Sequence, residues 1–93
     1  MPVYVTLIKW TEQGRQKTKD LAARYADGQQ RIKGAGGKEL GTYVTMGQYD
    51  MVSLVDAPND EAMAKLALEI AGRGNAVTET MRAFTMDELS KLV

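Results

Sequence analysis

Apolar and β-branched residues dominate the first strand-like segment of the chain. From Pro2 to Lys9 the side chains alternate, yet both alternating sets are largely apolar. Such a pattern is typical of a strand that is covered on both sides of its sheet. Three later segments have comparable strand character, at 38–46, 50–57 and 75–83. Together these segments predict a four-stranded sheet.

The first of two amphipathic segments follows the opening strand. It begins after Asp20, a candidate N-cap, and extends to Lys33. Its apolar stripe has helical spacing and consists of Leu21, Tyr25, Gly28 and Ile32. A glycine inside a helix costs stability, so we interpret Gly28 as the point where the helix backbone approaches the sheet closely.

The remaining helices are predicted from their caps. A second long helix begins at an asparagine N-cap, Asn59, and carries acidic residues in its first turn. Its buried stripe consists of Met63, Leu66, Ala67 and Ile70. Thr11 offers an N-cap for a short helical turn over 12–19. Thr85 and Glu88 form a capping box that begins a helix at the end of the chain.

The order of these elements is β-α-β-β-α-β, followed by the last helix. This order predicts a ferredoxin-like α+β fold, in which an antiparallel sheet carries both long helices on one face. A single domain over residues 1–93 accounts for the chain. The apolar residues expected on the opposite, open face are Tyr4, Ile8, Tyr43 and either Val55 or Leu54. Exposure of such an apolar face to water is unfavourable, so we expect a homodimer or a higher homo-oligomer to bury it.

Composition excludes several classes of function. The 93 residues include 12 Lys plus Arg and 12 Asp plus Glu, whereas nucleic-acid binders usually carry a basic excess. The third strand also lacks the aromatic residue that an RNA-recognition sheet would present. Without Cys or His the chain has no disulfide, thiol nucleophile or imidazole base, and we expect neither a metal nor a cofactor. We see no signal peptide and no apolar run of membrane length, which favours a cytoplasmic protein.

The segment between the second and third strands concentrates the chemistry of the chain. Residues 46–50 have the sequence Met-Gly-Gln-Tyr-Asp. Gly47 supplies the backbone freedom of a tight turn, and a Gly-X pair between strands predicts a type II′ hairpin. The turn would then present the Tyr49 phenol and the Asp50 carboxylate side by side.

These turn residues also carry a family resemblance. With Gly47, Tyr49 and Asp50 in this segment, the chain resembles the GYD family, which is named after them. The resemblance covers nearly the whole chain, through the segments 4–7, 10–14, 56–60, 74–75 and 78–85. It implies a dimeric α/β barrel, in which two ferredoxin-like sheets meet face to face around a cavity, and it implies no established activity. Ser53 departs from the family pattern, where an aliphatic residue is usual, and makes the interior more polar.

Three residues are candidates for catalysis. Asp50 can accept a proton, and the Tyr49 phenol can donate a hydrogen bond to a developing oxyanion. Alternatively, Asp50 bonds to backbone amides and Tyr49 packs on a neighbouring strand, which is the role that we favour. Glu79 is the third candidate, because Glu is depleted within strands and burial would raise the pKa of its carboxyl group. An ion pair with Arg82 or another cation is its structural alternative.

Aromatic and cationic side chains are the candidate ligand contacts, namely Tyr4, Trp10, Tyr43 and Arg82. Two functions follow from the sequence. In the first, which the sequence favours, a cavity in the dimer binds a small apolar molecule or catalyses a cofactor-free reaction. In the second, the chain is a non-enzymatic assembly or regulatory module whose residues only hold the dimer. An unpaired carboxylate in a water-reachable cavity would favour the first function, and a filled inner face would favour the second.

Overall fold

The computed structural model describes residues 1–16 and 18–93. The helices and strands are β1 (Val3–Trp10), α1 (Glu12–Gln16), a 3-10 turn (Thr18–Asp20), α2 (Leu21–Gly34), β2 (Lys38–Val44), β3 (Met51–Asp56), α3 (Asp60–Ala71), β4 (Ala76–Ala83) and α4 (Met86–Leu92). The short turn predicted over 12–19 includes Lys17, which lies outside the described residues. Of the helices that the structure describes, none has the length and apolar character needed to span a bilayer.

The four strands form one antiparallel sheet in the order β2-β3-β1-β4. This order is the ferredoxin-like topology, so the predicted fold class is confirmed. Helices α2 and α3 lie over the same face of the sheet, because residues of both helices and of that face line one cavity. A β-bulge between Glu39 and Gly41 interrupts the edge strand β2.

The strand register assigns the strand residues to the two faces of the sheet. Tyr4 pairs with Val55, and the Tyr4 phenol contacts Asp60 of α3, so this pair lies on the helix-covered face. The adjacent pair, Val5 with Leu54, lies on the other face, because side chains alternate along a strand. We call that second surface the open face, and its apolar side chains are Val5, Leu7, Tyr43, Val52, Leu54, Val77 and Met81.

The predicted membership of the open face is only partly correct. Tyr43 and Leu54 lie there as expected, whereas Tyr4, Ile8 and Val55 lie on the helix-covered face. A shift of one residue along a strand exchanges the faces of all its side chains. Both alternating sets in β1 are apolar, so the sequence pattern does not distinguish the two faces.

The buried core lies between α3 and the sheet. It consists of Tyr4, Val55, Ala57, Met63 and Leu66. Every residue of α2 is described, and none of them is buried. In the predicted apolar stripe of α2, Tyr25 is 40% exposed. Helix α3 therefore supplies the helical part of the buried core, while α2 contributes only a partly buried side chain, Ile32, that packs against it.

Two of the three glycines in the described helices, Gly28 and Gly14, have surroundings that the sequence did not predict. A Cβ atom added to Gly28 would meet nothing within 4 Å, so the expected close approach to the sheet at Gly28 is wrong. Gly14 in α1 is buried instead, and a Cβ atom there would overlap the carbonyl oxygen of Asn75. That carbonyl accepts a hydrogen bond from the Thr11 amide over 3.0 Å. The close approach of a helix to another segment therefore occurs at Gly14, which contacts the residue that precedes β4.

The helix caps follow the sequence at three of four positions. The Thr11 hydroxyl accepts a hydrogen bond from the Gly14 amide over 3.2 Å, as expected of the N-cap of α1. The Asn59 side chain accepts a hydrogen bond from the Ala62 amide over 2.9 Å, and Thr85 with Glu88 forms the predicted capping box. The Asp20 side chain makes no capping hydrogen bond to the described residues of α2. The predicted Asp20 cap is wrong, because residue 20 belongs to the preceding 3-10 turn.

The connection between β2 and β3 is longer than predicted. Residues 45–50 link the strands, so a type II′ hairpin with a two-residue turn is wrong. The Thr45 amide donates to the Asp50 carbonyl over 2.8 Å and closes this loop. Gly47 has a φ of +119°, which confirms the expectation that this position needs a backbone conformation available to glycine.

Candidate functional site

Asp50 connects the loop over 45–50 to the end of β1. Its amide donates to the Ile8 carbonyl and its carboxylate accepts from the Trp10 amide, each over 2.8 Å. These bonds extend the pairing of β1 with β3 beyond its last pair, Ile8 with Met51. The carboxylate is thereby engaged with the backbone, which is the arrangement expected of a structural aspartate in a turn.

We expect Asp50→Ala to lower the free energy of unfolding by about 2 kcal/mol, because the Trp10 amide would lose a charged acceptor. Asp50→Asn keeps an acceptor oxygen of similar shape and is expected to lose less than half of that amount. Urea denaturation of the three proteins measures both differences. Equal stability of the wild type and Asp50→Ala would contradict the structural role.

Tyr49 and Glu79 are brought together on the open face. The Tyr49 phenol donates to Oε2 of Glu79 over 2.8 Å, and this hydrogen bond raises the pKa of the phenol. Glu79 pairs with Leu7 in the sheet, which places its carboxylate on the open face. The structure therefore joins two of the three candidate catalytic residues and holds the third, Asp50, at the end of β1.

The four candidate ligand contacts lie on both sides of the sheet. Tyr4 is buried, and its phenol donates to the carboxylate at the start of α3, which raises the pKa of Tyr4. The Arg82 guanidinium lies 4.3 Å from the centroid of the Phe84 ring. Trp10 lines the cavity beneath α2, whereas Tyr43 lies on the open face. These four side chains do not form one pocket.

The sequence analysis missed a row of hydroxyl groups on the helix-covered face. The register aligns one hydroxyl residue from each strand, in the order Thr42, Ser53, Thr6 and Thr80. The first three of them line a cavity of 420 Å³ between α2 and the sheet. Each predicted strand has a Thr or Ser near its middle, and this regularity could have predicted the row. The sequence analysis considered only Ser53, as a departure from the family pattern.

Comparison with known families agrees with this architecture and with the sequence of the loop. A family model described as the GYD domain matches residues 4–93. The chain belongs to the GYD domain family. The resemblance seen in the sequence is thereby confirmed, and Gly47, Tyr49 and Asp50 are the residues of this GYD protein that correspond to the family name.

This GYD protein is similar in sequence to one named protein and shares its fold with two solved structures. A Thermus thermophilus protein named glutamine synthetase and cystathionine beta-lyase binding protein is 27% identical over 90 residues, which cover 96% of this chain and 95% of that protein. The crystal structure of an FFRP protein has a TM-score of 0.64 at 17% identity and covers 90% of this chain and 100% of the other. The crystal structure of a Thermus thermophilus protein has a TM-score of 0.57 at 22% identity. The match covers 91% of this chain and 95% of that protein's chain. Both structures share the fold.

Proposed function

We propose that this GYD protein is a non-enzymatic binding protein that forms a homodimer through its open face and regulates a partner protein in that form. The observation that carries this proposal is the apolar character of the open face. Tyr43, Val77 and Met81 expose 60%, 65% and 42% of their surface there. Contiguous apolar patches on small proteins usually mark an interaction surface.

A second copy of the chain is the occupant that fits this face best. A two-fold dimer brings the same surface of each copy together, so an apolar centre on one copy meets an apolar centre on the other. Lys9 and Glu79 lie on the same face, so a two-fold arrangement can pair their opposite charges. A domain of 93 residues also buries a smaller share of its surface on folding than a larger domain does, and the dimer would increase that share.

The geometry of the carboxylates supports binding more than catalysis. A cofactor-free reaction in the dimer cavity would need a carboxylate that is available as a base. Asp50 is bound to the Trp10 amide, and Glu79 accepts the Tyr49 hydroxyl. Both candidate bases therefore hold parts of the protein in place.

The named relative supports a protein as the regulatory partner. Its name states that it binds glutamine synthetase and cystathionine beta-lyase, and the similarity extends over 96% of this chain. By extension, we propose that this GYD protein binds an enzyme of one of these two kinds in the cytoplasm. The small-molecule function that the sequence also allowed is not required for this role.

Sedimentation velocity and surface binding together test the proposal. At micromolar concentration we expect the protein to sediment as a dimer or a larger homo-oligomer. Immobilised protein should then bind purified glutamine synthetase or cystathionine beta-lyase from the same organism, and the matched control is an unrelated enzyme of similar charge. A monomeric species at all concentrations would overturn the dimer. Absence of binding to both enzymes would overturn the proposed partner class.

A further inference from the structure

Helix α2 and the sheet border a space that the protein does not fill and that is partly open to solvent. The cavity has a volume of 420 Å³, within the range of small-molecule sites, whereas protein interiors are otherwise closely packed. Its apolar walls include Leu21 and Ile32 of α2, Leu66 of α3 and Trp10 of β1. This space lies on the opposite side of the sheet from the open face.

The sheet side of the cavity carries hydroxyl groups that are arranged in pairs. The Thr42 and Ser53 hydroxyl oxygens lie 3.0 Å apart, and those of Thr6 and Thr80 lie 3.2 Å apart. Each pair holds two hydroxyl hydrogens and needs only one of them for the bond within the pair. The second hydrogen of the Thr42–Ser53 pair can donate to an oxygen atom of a ligand, which would compete for it with the neighbouring Tyr25 phenol. Ser53 is 8% exposed and Thr6 is 4% exposed, so these two hydroxyl groups lie deep in the cavity.

The charged groups that line the cavity favour a neutral occupant. Asp27 accepts hydrogen bonds from Arg31 and Arg73. Glu39 accepts from the Tyr25 phenol over 2.7 Å and from the Gln29 amide over 2.9 Å. The Arg24 guanidinium donates to the Gly14 carbonyl over 3.2 Å. Because these charges are already engaged with protein groups, a charged ligand would have to displace existing bonds.

We propose that the cavity between α2 and the sheet binds a neutral, largely apolar molecule that carries one hydroxyl or carbonyl oxygen. The apolar body of the molecule packs between α2 and β1, and its oxygen accepts a hydrogen bond from the Thr42–Ser53 pair. Gly28 lies over this space, where the absence of a side chain leaves room for the ligand. This site goes beyond the proposed protein binding and uses the other face of the sheet.

Trp10 provides a direct readout, because it is the single tryptophan of the chain and it lines the cavity. We expect 1-octanol to change the Trp10 fluorescence with saturation, and octanoate to bind at least about tenfold more weakly, because its charge must be desolvated in an apolar site. Gly28→Leu should abolish the octanol response by filling the cavity. Gly34→Leu is the matched control, since it makes the same change in α2 at a position with nothing within 4 Å and outside the cavity.

A second variant tests the position of the ligand oxygen. Thr42→Val combined with Ser53→Ala removes both hydroxyls of the pair, so octanol affinity should fall by about fivefold, the effect of one neutral hydrogen bond. This test stands even if Gly28→Leu fails to fold. The proposal is overturned if wild type gives no saturable response, if Gly28→Leu binds octanol as well as Gly34→Leu, or if the double variant Thr42→Val with Ser53→Ala binds as well as wild type. A monomeric wild type that still binds octanol would contradict the dimer alone and would support this site.

Discussion

Gly14→Ala is expected to lower the free energy of unfolding by about 3 kcal/mol, because the added methyl group must displace backbone rather than a flexible side chain. The Cβ atom would overlap the Asn75 carbonyl oxygen, which the Thr11 amide holds by a hydrogen bond. The Thr11 hydroxyl also donates to the Gly74 carbonyl over 2.6 Å, so the two segments are joined at two points. Relief of the overlap would break at least one of these bonds.

Gly28→Ala is the matched control for this substitution, because both glycines are helical and neither has a positive φ. With open space around its Cβ position, Gly28→Ala is expected to raise the free energy of unfolding by about 1 kcal/mol. Denaturant titrations of the two variants should therefore shift the unfolding midpoint in opposite directions. A stabilising effect of Gly14→Ala would show that α1 does not pack against residue 75 as described.

Tyr43→Glu is expected to weaken the proposed homodimer by at least about 100-fold, because each copy would place an unpaired carboxylate in an apolar contact. Tyr43 lies on the open face and is largely exposed in the single chain, so the substitution should leave the fold of each subunit unchanged. Sedimentation equilibrium over a range of concentrations measures the change in the dissociation constant.

Leu68→Glu provides the control for the effect of added charge. Leu68 lies on α3 and is 73% exposed, so it resembles Tyr43 in exposure but lies on an element that covers the other side of the sheet. The dissociation constant of Leu68→Glu should match that of the wild type. If the two variants weaken the dimer equally, then the open face is not the contact between subunits.

Interactions between residues close in sequence could be predicted well. The Asn59 cap and the Thr85–Glu88 capping box depend on neighbours three residues away, and both occur as the sequence indicates. Gly47 likewise adopts the positive φ expected of its position. The order of strands and helices also followed from local periodicity, and it was sufficient to identify the ferredoxin-like fold.

Most of the features that the sequence did not predict depend on contacts between residues that are far apart in the chain. Asp50 binds an amide 40 residues earlier, and Tyr49 binds a carboxylate 30 residues later. The residue types in the loop are compatible with catalysis or with these contacts, and only the register of the strands distinguishes them. The row of hydroxyl groups on the helix-covered face could not be predicted for the same reason, because its members align across four strands that are separate in the sequence.

The bulge in β2 has a consequence for how large an assembly can become. An edge strand exposes unpaired amide and carbonyl groups that can recruit further strands, and a bulge distorts the edge so that such recruitment is unfavourable. In this protein the bulge between Glu39 and Gly41 lies in one of the two edge strands. Continuous sheets from end-to-end addition of subunits are thereby discouraged at that edge. Growth should instead stop at closed, finite complexes, which protects the protein against fibrous aggregation.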